Sequence, residues 1–219
     1  MANVDNGYAA ILKGLIRMGA EWRDCIVTMI DMAGVRDRAG EDASTLMRRF
    51  HALVIEEAPS LTTIAHTYVW NDSALLLSYV DGDDTFEPAI RDAEKLKRRI
   101  DGLANSYAIA IKGQAFPPAP GERNAQAPRN VTLIDASSWA MANCFLVEKA
   151  LGKCKKPWYI DKRIAERIRT SQISQTHEVD LLPKGKPRKI HTFDGYLWET
   201  SGPKRAGGRG QRNMRHDDA

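Results

Sequence analysis

Two carboxylates stand out by residue type and by neighbourhood. Asp31 closes the apolar run Cys25-Ile-Val-Thr-Met-Ile30, and Asp72 lies in Trp70-Asn-Asp72 between two β-like segments, Thr62–Val69 and Ser73–Val80. So short a connection makes the two segments an antiparallel hairpin with Asp72 at or beside its tip. If the run ending at Asp31 lies beside that hairpin, the two carboxylates meet at one end of a sheet. Hard oxygen donors on a shallow surface suit Mg2+ or Mn2+, which keep waters and take further oxygens from a phosphorylated substrate. Two such ions, about 3.5–4 Å apart, activate an attacking oxygen and steady a leaving pyrophosphate. Either aspartate alone reads as an ordinary turn residue; the pair carries the chemistry.

The elements that must position them follow from periodicity. Residues 8–19 have helical spacing (Tyr8, Ile11, Leu12, Leu15, Ile16). Cys25–Ile30 is a strand buried on both faces. Ala43, Leu46, Met47, Phe50, Leu53 and Val54 form one face of a helix that Pro59 stops. After the hairpin, Ile90, Ala93, Leu96, Ile100 and Leu103 mark a second amphipathic helix, and Tyr107–Ile111 a further strand. Pro117–Pro128 is a proline-rich surface loop, and Val131–Asp135 another strand. A helix then runs from about Ser137 to Leu151, with Ser137 or Ser138 as its N-cap. Pro157–Ile160 is a short strand and Asp161–Arg169 a short helix. Thr176–Leu182 and Ile190–Trp198 close the chain as a hairpin around Pro183-Lys-Gly-Lys-Pro187. The order β-α-β-β-α-β, followed by extra C-terminal β and α elements, is an α+β, ferredoxin-like (split βαβ) core. Its helices cover one face of a mainly antiparallel sheet and leave the other for a partner.

Composition sets the outer limits. The chain has 219 residues, 43% of them hydrophobic and 27% charged, with a net charge of +4 and a mean hydropathy of −0.42. That is one water-loving domain, read as residues 1–200, with a basic Gly/Arg tail over 201–219. No apolar run reaches the ~20 residues of a membrane span, and no secretory leader is visible. Three cysteines (Cys25, Cys144, Cys154) without a C-x-x-C pair argue against a disulfide framework or a zinc site and for a reducing cytoplasm. The tail carries Lys204, Arg205, Arg209, Arg212 and Arg215. Without it the charges nearly cancel, so nucleic acid is not the expected partner.

Asp31-Met-Ala-Gly34-Val35 resembles the Asp-x-x-Gly-Phe motif after the first strand of class III nucleotidyl cyclases. Val69-Trp-Asn-Asp72-Ser-Ala-Leu is similar to their second metal motif, with Asn71 where a glycine is usual; asparagine is the best substitute in a turn needing φ > 0. Leu182-Pro-Lys184-Gly-Lys186 resembles their triphosphate-holding Lys-Gly-Lys hairpin. The three motifs occur in family order over about residues 22–199.

The resemblance implies a fold, an activity and a set of roles. Asp31, Met32 and Asp72 would form the site of two Mg2+ or Mn2+ ions. Asp135 would read the base and Asn143 would be the transition-state asparagine. Asn143 and the triphosphate-holding Lys184 and Lys186 would come from the partner subunit of a homodimer with shared sites, away from Asp31 of their own chain. The arginine expected four residues after Asn143 is Val147, so Lys112, Lys153 or Arg36 would have to compensate. Tyr68 stands where purine cyclases commonly carry a base-reading lysine. A tyrosine leaves a smaller base pocket, and a compact chain with these departures looks like the pyrimidine cyclases of bacterial antiphage (Pycsar) signalling. UTP is the favoured substrate, with CTP or a purine triphosphate as alternatives. A catalytically degenerate nucleotide sensor remains the competing reading.

Overall fold

The computed structural model describes residues 22–35, 40–115, 138–152, 154–170, 173–183 and 187–198. The expected helix over 8–19, the strand Val131–Asp135 and the tail lie outside them. So do Arg36, Asp135, Lys153, Lys184 and Lys186.

Seven strands form one sheet: β1 (Arg23–Met32), β2 (His66–Trp70), β3 (Ser73–Tyr79), β4 (Ser106–Ala115), β5 (Trp158–Asp161), β6 (Gln175–Val179) and β7 (Arg188–Phe193). Their order is β2-β3-β1-β4-β5-β7-β6. Every adjacent pair is antiparallel except β4 and β5. Four helices accompany the sheet: α1 (Gly40–Glu57), α2 (Phe86–Asp101), α3 (Trp139–Leu151) and α4 (Lys162–Ala165).

The all-apolar centre of β1 is possible because both faces of the sheet are covered. On one face α1 and α2 bring Leu46, Phe50, Val54, Ile90, Ala93 and Leu96 onto Ile26, Ile30, Leu76, Ala108 and Ala110. On the other, α3 sets Ala140, Cys144 and Val147 against Cys25, Val27, Met29, Ile109 and Ile111. The expected open face is therefore partly roofed by the chain's own third helix. That helix comes very close: a Cβ built on Gly113 would meet the Ala140 Cβ at 2.7 Å. Ser138 is the N-cap, its hydroxyl accepting from the Ala140 N–H.

Three boundaries move for local reasons. The hairpin's first strand begins at His66 rather than Thr62, because the Thr63 backbone N–H and hydroxyl both donate to Asp92 on α2 and hold that stretch off the ladder. The last strand ends at Phe193. Beyond it the chain turns back to α2, where the buried Glu94 carboxylate accepts from the backbone N–H groups of Leu197 and Trp198. The helix expected over Asp161–Arg169 shortens to α4, capped by the Asp161 carboxylate accepting from the Arg163 N–H.

Candidate active site

Register places the first carboxylate. Asp31 sits opposite Ser73 on β3 and opposite Tyr107 on β4. Strands alternate their faces, so these three side chains share the α3 face with Met29, Leu75 and Ile109. The Ser73 hydroxyl donates to the Asp31 carboxylate. Burial pushes the Asp31 carboxyl up to about 6; Ser73 opposes the shift, and the like charge of Asp72 adds to it.

The second carboxylate is held by its turn. Asn71 takes φ 51°, the left-handed conformation the tight connection requires. The Asp72 carbonyl accepts from the Met32 N–H at 3.0 Å, which ties the hairpin tip to the end of β1. On the other side, His51 of α1 donates from Nε2 to the Asn71 carbonyl at 2.6 Å. Spacing does not single out His51; the structure makes it a latch on the turn that carries Asp72. If Asp72 ligates metal, His51→Ala should raise the Mn2+ concentration for half-maximal activity by about three- to tenfold, below the range for direct outer-sphere partners. His51→Gln, which keeps a donor at the same reach, should restore it. A metal titration of activity checks both.

Asp31 and Asp72 face a common cleft of about 480 Å3, lined also by Met32, Gly34, Tyr107, Glu148 and Lys155. Met32 buries its side chain, so any part it takes is through its backbone. Tyr107 and Glu148 complete the polar wall, the phenol donating to Glu148 Oε1 at 3.0 Å. Burial and the two neighbouring carboxylates push the Tyr107 hydroxyl far above its ordinary range, so it acts as a donor and never as a phenolate. The aromatic strand pattern gives no hint of this role for Tyr107. Glu148 is the acidic residue of an otherwise largely apolar α3.

Asn143 does not line the cleft of its own chain. It is 1% exposed, and its amide is spent on one residue: Nδ2 donates to the Leu182 carbonyl and Oδ1 accepts from the Leu182 N–H, both at 2.8 Å. Val147, one turn on, is in the apolar core. The i, i+4 spacing puts both on the sheet-facing side of α3, where an arginine would be buried without water. Tyr68 lies on the α3 face of the hairpin, opposite Leu75, and packs on the same apolar cluster without lining the cleft. Lys112 lies away from its own chain's cleft. It pairs with Ile26 in register and binds Asp24 at 2.6 Å, five residues along β1 from Asp31, or roughly 17 Å at ~3.3 Å per residue.

Asp31, Asp72 and the Met32 backbone offer hard oxygen donors, the set that Mg2+ and Mn2+ favour. No group of three or more His, Cys, Asp or Glu side chains among the described residues forms a ready metal cage. No helix among the described residues is long and apolar enough to cross a membrane.

No protein-family model and no curated protein sequence matches the chain. Solved structures do. The adenylyl cyclase CyaB from P. aeruginosa superposes with a TM-score of 0.55 at 10% identity, covering 86% of this chain and 99% of that one. A bacterial light-regulated adenylyl cyclase gives 0.54 at 8% identity, covering 81% and 93%. The α+β architecture built around Asp31 and Asp72 is the fold of nucleotidyl cyclase catalytic domains.

Proposed function

We propose that the chain is a metal-dependent nucleotidyl cyclase. The observation that carries this reading is the convergence of Asp31 and Asp72 on one cleft at the end of β1, within a cyclase fold. The substrate 3′-oxygen attacks the α-phosphorus in line. The O3′–P bond forms as the bond to the β-phosphate oxygen breaks, pyrophosphate departs, and the hydroxyl proton passes to solvent. Asp31, Asp72 and the Met32 carbonyl would hold Mg2+ or Mn2+, which when bound neutralises phosphate charge and polarises the attacking hydroxyl. The Ser73 hydroxyl orients the Asp31 carboxylate. Lys184 and Lys186 bind the triphosphate from the partner subunit of a homodimer. Asp135 and Tyr68 read the base, Arg36 adds positive charge, and Asn143 is a positioning residue through Leu182. Tyr68 on the hairpin favours a pyrimidine, UTP first, and an antiphage second-messenger role in the cytoplasm.

Incubation with Mn2+ and each of the four nucleoside triphosphates, with products resolved by mass, tests this. Cyclic UMP with stoichiometric pyrophosphate is expected. Cyclic CMP or a cyclic purine nucleotide corrects the base, and no product from any triphosphate overturns the enzyme. The second reading, a nucleotide sensor without turnover, is favoured by the burial of Asn143 and Val147, which leaves that face of α3 without a charge to stabilise a transition state.

A further inference from the structure

We infer that Lys155 grips the departing pyrophosphate end of the substrate bound by its own subunit, an inference that rests on the nucleotidyl-transfer reading above. Lys155 is the one cation among the described residues that line the cleft with Asp31, Asp72 and Glu148. It also lines an adjoining chamber of about 630 Å3 that shares Ala33, Tyr107 and Cys154 with the cleft. It therefore stands on the wall between the carboxylates and the space next to them. A polyphosphate held at Asp31 and Asp72 would have Lys155 on the wall of the same cleft to meet its remaining negative charge.

Two further observations separate Lys155 from an ordinary surface lysine. Its backbone is fixed: the buried Tyr159 hydroxyl accepts from the N–H groups of both Lys155 and Lys156, each at 3.0 Å. Tyr159 lies on β5, paired in parallel with β4 at Ile109, two residues from Tyr107. The turn is thus carried by the strand next to the site. Its side chain is also uncommitted among the described residues. Neighbouring lysines are engaged: Lys97 with Asp101, Lys156 with Asp194 and Lys112 with Asp24. Lys155 stands in an acidic cleft and forms an ion pair with none of its carboxylates. A cation that is held in place and left unpaired is available to an incoming anion.

Inorganic pyrophosphate with Mg2+ is the direct probe, because it needs no knowledge of the base. Calorimetry should show binding by the full chain, weakened about tenfold by Lys155→Ala and further by Lys155→Glu, the size of one lost charge-assisted contact. Lys155→Arg should restore it, since a guanidinium meets phosphate at least as well. Lys156→Ala should leave it unchanged. With the triphosphate that turns over, Lys155→Ala should raise KM by a similar factor and lower kcat less. The four variants change an exposed Lys155 or a half-buried Lys156 side chain, and thermal melts confirm that they fold. No pyrophosphate binding by the wild type overturns the inference. So does wild-type binding by Lys155→Ala, or an equal loss in Lys156→Ala, which would mean diffuse charge. If pyrophosphate binding depends on Lys155 while no triphosphate is cyclised, the cyclase reading fails and the anion site stands. If cyclisation proceeds and Lys155→Ala binds pyrophosphate normally, the reverse holds.

Discussion

Asp31→Asn is expected to give a protein that melts higher than the wild type and makes no cyclic nucleotide. The carboxylate is desolvated and faces the charge of Asp72, and its carboxyl rises from 3.8 to about 6. The folded protein therefore holds that proton more tightly than the unfolded chain does. Stability falls as pH rises from about 4 to about 6, and the cost is fully present above that window. Asparagine keeps an acceptor for Ser73 and removes the charge. In chelator at pH 8 the variant should gain roughly 1–2 kcal/mol, after allowance for water at the cleft mouth, or about 2–6 °C in Tm. Below pH 4 the difference should vanish. Product formation should drop on the order of 10³-fold or more, since on the proposed reading the substitution removes a metal-holding carboxylate. Thermal melts at the two pH values and a product assay check both halves. A variant that is stabilised and still cyclises at the wild-type rate would show that Asp31 is only a strained acid, with no part in the chemistry.

The second large effect concerns how the site is divided between subunits. An Asp72→Ala subunit and a Lys184→Ala, Lys186→Ala subunit should each be inactive alone and recover activity when mixed. In an isologous dimer, one site of the heterodimer collects both defects and the other collects none. Random mixing then restores at most about a quarter of the wild-type sites. Asp31, Asp72 and Lys155 line one cleft of one chain, so the lysine hairpin is the part expected from the partner. The assay is product formation after co-refolding the two variants. No recovery at any mixing ratio would mean that each chain builds its site alone.

The sheet end that holds the site was legible because its signals are local. Cys25–Ile30 is too apolar and too β-branched for anything but a doubly covered strand, and Trp70-Asn-Asp72 is too short to be anything but a turn. Those two facts place Asp31 and Asp72 together once the topology is known. The left-handed Asn71 follows from the same turn. Other features depend on contacts that spacing does not encode. Tyr107 looks like any strand aromatic until the register sets it opposite Asp31. His51 lies on a helix face like many others until the hairpin tip arrives beneath it. Asn143, which the resemblance assigns to a partner's site, satisfies the Leu182 backbone at the entrance to the closing hairpin, a contact that spacing does not encode. Third-helix coverage of the sheet was equally hidden, since α3 is apolar nearly all round and has no single face to orient it.

The row Ser73–Asp31–Tyr107 runs across three adjacent strands that are remote from one another in the chain. Ser73 lies 42 residues from Asp31, and Glu148 lies a further 41 beyond Tyr107. Closing loops of that length precedes any reward from the contacts they permit, so the β2–β3 hairpin forms readily while the row across β3, β1 and β4 forms late. During synthesis the first aspartate leaves the ribosome long before the strand and helix that wall its cleft. A nascent or truncated chain ending before α3 thus carries Asp31 and Asp72 without the Glu148 wall of their cleft. On the proposed cyclase reading, competence then waits for the folding of the C-terminal half.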